Sequence, residues 1–474
     1  MEGVAEKPMA VDLPRFSGGF HAQSYRMKIE AIPHLREYVP DLPAFENPLM
    51  HSEYFRPVEG FFVTETDMVM ENIIINIDSP AMNKDRVFYH RAGPRSKVCF
   101  EPHEVRAAVA TCGGLCPGLN TVIRELIYGL WFQYGVRDIK GIRAGYRGFY
   151  SREPLALDPK MAHLWHKIGG TVLETSRGGF DVEKIVDAIE KYGFNQVYLI
   201  GGDGTMRGAL KVFEEVRRRG LKVCVAGIPG NVDNDMGIID KSFGFQTAVE
   251  SAQSAISAAA VEADSATNGV GLVRLMGRQT GHIALHSTLA SRDVDCCLIP
   301  EDPFYLEGEG GLFQLVERRL AENGRFVLVI AEGAGKDLMP PPPKDAAADD
   351  DEEQSYDMDV GPWLSNELKA WWKKQRPGEL FTLKYIEPTC MLRDSPANAT
   401  ENHFCTLLAN SCMHGVMAGY SGFVVGSING MYAYVPLQKV AATNNFVDNN
   451  DPRWAWVRSV TSQPDFVSMR KAPD

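Results

Sequence analysis

The chain is short of several things, and each shortage excludes something. No apolar run approaches the roughly 20 residues of a membrane-spanning helix, so no membrane role is expected. Positive charge is in deficit: 49 Lys and Arg face 61 Asp and Glu, a formal net charge of -12. That balance argues against a nucleic-acid partner and leaves room for a locally basic pocket that takes anionic substrates. The 9 cysteines stand singly or as Cys112/Cys116 and Cys296/Cys297, with no Cys-x-x-Cys and no histidine spacing for zinc. They read as buried thiols of a reducing cytosol. Met1 to Arg15 contains Glu2, Glu6 and Asp12 and lacks both the apolar core of a secretory signal and the Arg- and Ser-rich, acid-poor character of a transit peptide. A cytoplasmic location is therefore expected. No Gly-x-Gly-x-x-Gly follows a strand, which disfavours hydride transfer. No internal repeat is visible.

What is present is ordinary in bulk and specific in detail. With 474 residues, 45% hydrophobic and 23% charged, the chain can form two or three domains with their own cores. Its organising stretch is Asn195 to Ala209. Val197 to Ile200 is a short apolar run that ends in Gly201-Gly202-Asp203-Gly204-Thr205, and Met206 to Val216 has helical spacing. Strand, glycine turn and helix set backbone N–H groups and a helix N-terminus against a phosphate. Asp203 inside that turn would repel phosphates unless it holds Mg²⁺. The plainer reading is a tight turn with no ligand.

Similar units recur along the chain. Val105 to Thr111 runs into Cys112-Gly113-Gly114-Leu-Cys-Pro117-Gly118, then a helix. Gly141 to Tyr150 reads as a glycine- and aromatic-rich loop, and Arg177 between Ser176 and Gly178-Gly179 as a cation on flexible backbone. Val182 to Tyr192 reads as a helix. Val223 to Ile228 is a strand that ends in Pro229-Gly230-Asn231-Val232-Asp233-Asn234-Asp235, where an Asx-rich turn is the alternative to a ligand site. Gly269 to Leu275 leads to Met276-Gly277-Arg278, Phe326 to Ala331 to Glu332, and Phe381 to Ile386 to Cys390-Met391-Leu392-Arg393. Upstream, His90 to Arg95 is either a solvated loop or an anion contact. Met339 to Asp359 is low in complexity, with four prolines and an acidic run. Strands alternate with helices from about residue 105 to 420, which indicates an α/β fold with largely parallel sheets in two lobes.

The strand ends thus carry glycine cradles, a metal-type acid, an acid cluster and three arginines. That set suits phosphoryl transfer. A Gly-Gly-Asp-Gly-Thr turn alone does not fix the acceptor.

The combination is more specific. From about Val105 to Tyr434 the chain resembles the phosphofructokinase family, in particular its plant-type ATP-dependent members. The matching stretches are Gly-Gly-Leu-Cys-Pro-Gly-Leu-Asn, Thr-Ser-Arg-Gly-Gly, Gly-Gly-Asp-Gly-Thr, Asp-Asn-Asp, Met-Gly-Arg, Ala-Glu-Gly and Met-Leu-Arg, with His-Arg-Ala-Gly-Pro-Arg upstream. Residues 1–100 read as an irregular N-terminal extension in which only Met70 to Ile77 is strand-like; beyond it the resemblance implies two Rossmann-like lobes, a nucleotide-binding lobe (101–240) and a sugar-phosphate lobe (241–420) with an acidic loop (339–359), and a hairpin and tail returning to the body (421–474). It implies that Gly114, Arg177, Gly178, Gly202, Asp203, Gly204 and Thr205 contact ATP, with Asp203 on Mg²⁺. It makes Asp233 the base for the 1-hydroxyl of fructose 6-phosphate, assisted by Arg177 and Arg278. Asn231, Val232, Met276, Gly277, Arg278, Glu332, Cys390, Met391, Leu392 and Arg393 would form the sugar-phosphate site. An oligomer is implied, with a tetramer suspected, either of identical chains or mixed.

Gly204 speaks for ATP, because pyrophosphate-dependent relatives look like Gly-Gly-Asp-Asp here and a carboxylate would crowd the α-phosphate. The chain departs from the plant pattern at Gly230 and Asn231, where Pro-Lys-Thr is usual, and at Cys390, where tyrosine is more common. The alternatives are a weakly active or regulatory subunit and a pyrophosphate-dependent enzyme.

Overall fold

In the computed structural model the described residues are 26–52, 60–74, 85–176, 178–340 and 359–470. Two sheets organise them. In spatial order the larger one runs Arg26–Glu30, Asp85–Arg91, Met431–Pro436, Phe423–Ile428, Cys224–Asn231, Gln196–Gly201, Arg106–Thr111, Asp138–Ile142 and Leu155–Ala156. From Phe423–Ile428 across to Asp138–Ile142 its neighbours are parallel. The smaller sheet, Cys296–Leu298, Arg325–Ala331, Gly269–Leu275 and Thr382–Ile386, is parallel throughout.

Parallel strands are covered by helices on both faces, so they read as continuous apolar runs. Gln196–Gly201 is buried at every position. Its one polar side chain is satisfied: Gln196 Oε1 accepts from the Tyr198 hydroxyl at 2.9 Å. The covering helices are stopped by local chemistry. Val182–Tyr192 begins at Asp181, whose carboxylate accepts from Lys184 N, and ends at Gly193 in the left-handed conformation.

The structure corrects parts of the sequence reading. The segment read as irregular up to residue 100, with a strand only at Met70 to Ile77, supplies strands Arg26–Glu30, Met68–Met70 and Asp85–Arg91 to the large sheet, and residues 75–77 of the expected strand lie outside the described residues. Their mixed composition hid them, because they lie at or near its edge. Gly141 to Tyr150 is the end of strand Asp138–Ile142 followed by helix Gly145–Ser151, not a loop. Arg95 is neither solvated nor an anion contact. It is buried, donates to the carbonyls of Gly93 and Arg91, and faces the rings of Tyr420 and Tyr434. Helix Ala399–Met417 already lies on the first lobe, with Thr121 Oγ1 donating to Asn402 Oδ1 at 2.6 Å and Tyr134 OH 2.7 Å from His414 Nδ1. The chain therefore crosses back before residue 420. Of the acidic loop, residues 341–358 lie outside the described set, as does Arg177. Eight cysteines are buried as free thiols; Cys390 is exposed. No helix among the described residues is long and apolar enough to cross a membrane.

Candidate active site

Two adjacent parallel strands, Arg106–Thr111 and Gln196–Gly201, end in glycine turns on the same sheet edge. The turns are tied together. Cys112 N donates to Ile200 O at 2.9 Å, and Thr205 Oγ1 donates to Cys112 O at 3.2 Å. A side chain on Gly201 would run into the Cys112 carbonyl and Thr205, which is why the turn needs glycine there. The Ser176–Gly178 loop joins them, because Gly113 N donates to Ser176 O and Thr175 Oγ1 to Gly113 O. Gly114, Gly178 and Gly204 are exposed on this face. A Cβ added to Gly204 would meet nothing within 4 Å. Backbone donors and open space lie side by side, at the N-terminus of helix Asp203–Arg218.

Asp203 opens that helix. Its Oδ2 is 2.7 Å from Arg207 Nη2, while Oδ1 is buried with no hydrogen-bond partner among the described residues. Burial pushes its carboxyl above the usual range, against the pull of Arg207. Asp235, further along the sheet edge, is also raised, first by burial and then by the negative charge of Asp203. Two carboxylates raised by burial, one of them also by the other's charge and one with an orphaned oxygen, form a site that a cation would relieve. Among the described residues no group of three or more His, Cys, Asp or Glu is placed to hold a metal ion by itself, here or elsewhere. Mg²⁺ commonly binds through one or two carboxylates plus substrate phosphates, so the donor set fits it.

Asn231 organises the acid loop. Its Nδ2 donates to Asp235 Oδ1 at 2.7 Å, its Oδ1 accepts from Asp233 N at 3.0 Å, and its side chain lies against Gly202. Val232 is a core residue, so only its main chain is available to a ligand. The Thr280 hydroxyl donates to Asp233 O at 3.0 Å, joining this loop to Met276-Gly277-Arg278. That second loop is locked to the next strand end by Glu332 N to Leu275 O at 2.9 Å and Gly333 N to Gly277 O at 3.1 Å. Arg278 Nε lies 3.3 Å from Glu332 Oε1.

Arg393 ends the short helix Thr389–Arg393, with Nε 3.6 Å from Asp394 Oδ1. Cys390 and Met391 are exposed on that helix and Leu392 is core. Among the described residues no hydrogen bond or ion pair joins Arg393 to Arg278 or Glu332.

Two residues beyond the sequence-derived set matter. Asp235 was visible in the acid cluster but not its pairing with Asp203. Arg274 was missed altogether. It is largely buried and gathers Glu332 (3.0 Å), Asp359 (3.1 Å) and Glu387 (3.4 Å). A lone charge inside the apolar run Gly269 to Leu275 was its signal.

Fold and site together define a two-lobed α/β protein that sets a glycine phosphate cradle beside a paired-acid loop and an arginine–glutamate loop. The chain belongs to the phosphofructokinase family: the family model described as "Phosphofructokinase" matches residues 106–429. It is 61% identical over 425 residues to ATP-dependent 6-phosphofructokinase 2 of Arabidopsis thaliana, covering 90% of this chain and 95% of the relative. It is 52% identical to ATP-dependent 6-phosphofructokinase 4, chloroplastic, of the same plant, covering 93% and 82%. Among solved structures, the pyrophosphate-dependent phosphofructokinase of Marinobacter aquaeolei shares the fold at TM-score 0.61 and 19% identity, covering 76% of this chain and 92% of that one.

Proposed function

We propose that the chain is an ATP-dependent 6-phosphofructokinase that transfers the γ-phosphoryl of ATP to the 1-hydroxyl of fructose 6-phosphate. The observation that carries the reading is the juxtaposition at residues 203–205. An acid with a buried, unshared oxygen stands at a helix N-terminus, next to a glycine whose missing side chain leaves open space.

In this reading the turns at Gly113-Gly114 and Gly202–Thr205 present N–H groups to the nucleotide phosphates, with Gly178 and Arg177 closing the cradle. Asp203 and Asp235 would hold Mg²⁺, which supplies charge neutralisation on the phosphates. Asp233 accepts the proton of the sugar 1-hydroxyl as that oxygen bonds to the γ-phosphorus and the bond to the bridging oxygen of ADP breaks. An aspartate suffices because the proton moves late. Arg278, paired with Glu332, and Arg393 hold the sugar phosphate, and Arg177 offsets charge on the migrating group. The protein acts as an oligomer in the cytoplasm.

The test is a coupled assay for fructose 1,6-bisphosphate on the purified chain, first with ATP and then with pyrophosphate. Product is expected with ATP and not with pyrophosphate. Asp203→Asn should cost about 10³-fold or more in kcat with ATP, because the acid that holds the cation is gone. No product with either donor, or an Asp203→Asn variant of normal activity, refutes the reading.

A further inference from the structure

We propose that a second pocket, behind the acid loop, binds a small hydroxyl-bearing organic phosphate. The cavity has a volume of about 350 Å³, and its walls include Asn234, Lys241, Phe245, Gln246, His286 and Arg453. None of the residues assigned to the nucleotide or to the sugar phosphate lines it.

The argument is an inventory of used and unused polar groups. The one acid in the lining, Asp240, is already satisfied, since its two oxygens accept from Asn429 N at 2.8 Å and Gly430 N at 2.9 Å. The cations are not. Lys241 makes no direct ion pair among the described residues, its charge reaching Glu401 only through space, and lies 5.0 Å from the Phe404 ring. Arg453 gives Nε and Nη2 to Asp451, leaving Nη1 uncommitted among the described residues. His286 packs edge-on against Phe245, ring centroids 5.1 Å apart, with no hydrogen bond to either ring nitrogen among the described residues. Gln246 Oε1 is buried without a partner. Spare cationic donors suit a phosphoryl group, two ring faces suit a short carbon chain, and the orphaned amide oxygen suits a hydroxyl.

The pocket is wired to the acid loop. Asn234 stands between Asp233 and Asp235 in the left-handed conformation, φ 56°. Its side chain accepts from Ser242 N at 2.9 Å, and its carbonyl from Asn445 Nδ2 at 2.8 Å. Asn445 N in turn donates to Asp235 O at 2.8 Å. Arg453 lies on helix Pro452–Thr461, just beyond that C-terminal strap. A ligand gripped by Lys241 and Arg453 therefore ties the strap to the loop that holds Asp233. This coupling rests on the kinase reading; the binding does not.

The test is calorimetric titration of the full chain with glycerol 3-phosphate, in the presence of saturating fructose 6-phosphate to occupy the substrate site. One bound equivalent per chain is expected. Lys241→Gln should weaken it about tenfold or more, as should Gln246→Glu, which places a negative charge in the cavity without disturbing Arg453 and its Asp451 partner. Glycerol 3-phosphate should shift the KM for fructose 6-phosphate about fivefold in the wild type and not in Lys241→Gln. Absence of binding, or binding by both variants as tight as by the wild type, overturns the site. Tighter binding of malate overturns the phosphate assignment, and an unchanged KM overturns the coupling. If the chain proves inactive yet binds in a Lys241-dependent way, the kinase reading fails alone.

Discussion

Gly204→Asp is the substitution that most directly probes the choice of phosphoryl donor. Fold stability is not at stake. The added side chain meets no atom within 4 Å, and the position is the second residue of helix Asp203–Arg218. Replacing glycine in a helix recovers part of a propensity cost of about 1 kcal/mol, and a carboxylate in the first turn adds about 0.3–1 kcal/mol. The variant should melt at or above the wild-type temperature. The effect falls on ATP. A carboxylate about 4 Å from a phosphate charge costs about 1 kcal/mol in bulk-like surroundings and about 4 kcal/mol at an effective dielectric constant near 20. Because residue 204 is exposed, the loss in kcat/KM for ATP should fall between about fivefold and about 10³-fold. Pyrophosphate has no α-phosphate bearing a nucleoside, so the ratio of ATP to pyrophosphate use should fall. A coupled assay with both donors, beside a melting curve, reads all of this. A variant that uses ATP as the wild type does, with an unchanged melting temperature, refutes the steric and electrostatic argument together.

Three further outcomes follow from the same site. Arg274→Met strands Glu332, Asp359 and Glu387 without their shared cation; because those acids are partly exposed, the stability cost is about 1–3 kcal/mol rather than the full buried-pair value, and KM for fructose 6-phosphate should rise about tenfold while KM for ATP stays put. An equal rise in both would show that the residue is only structural. Asn231→Ala removes the bond that holds the Asp235 carboxyl down, so the acid limb of the pH–rate profile should move to higher pH; a limb that stays or moves down counts against the loop as drawn. Asp203 titrates above its ordinary value in the ligand-free fold, so the folded state binds that proton more tightly than the unfolded chain and stability is lost as pH rises through the folded value. Relative to Asp203→Asn, the wild type should lose stability in urea as pH rises above the ordinary carboxylate range, and Mg²⁺ with ATP should reverse the loss.

The glycine turns were legible in the sequence because their geometry admits few other residues. Gly201 cannot carry a side chain, and the strand and helix that flank it are buried and periodic enough to read directly. Strand Gly269–Leu275 and helix Val182–Tyr192 match their sequence-derived limits for the same reason. The departures from the plant pattern could be seen but not interpreted. At Gly230, a side chain would run into the buried Phe243 ring, so the glycine is fixed by packing. At Asn231, the amide both donates to Asp235 and accepts from Asp233 N. A threonine would have to make both bonds through its single hydroxyl oxygen, whereas the amide reaches the two partners with separate atoms. What stayed hidden depends on contacts distant in sequence. The pairing of Asp203 with Asp235 crosses two strands, and Arg274 is defined by acids 58, 85 and 113 residues away. The strands of the N-terminal segment pair mainly with one another, and among the described residues only Asp85–Arg91 joins the rest of the large sheet, through Met431–Pro436 from the other end of the chain.

That last pairing has a bearing on synthesis. Arg91 sits opposite Ala433 in the finished sheet, so a ribosome must emit about 340 further residues, a delay of about 20–70 s, before strand Asp85–Arg91, already paired with Arg26–Glu30 and Met68–Met70, meets Met431–Pro436. Until then an adhesive margin is open to other chains, and nascent protein halted before Phe423 should be captured by chaperones far more than protein released after Pro436. Ribosome profiling of chaperone-bound intermediates would show whether engagement ends once the hairpin Phe423–Pro436 has emerged.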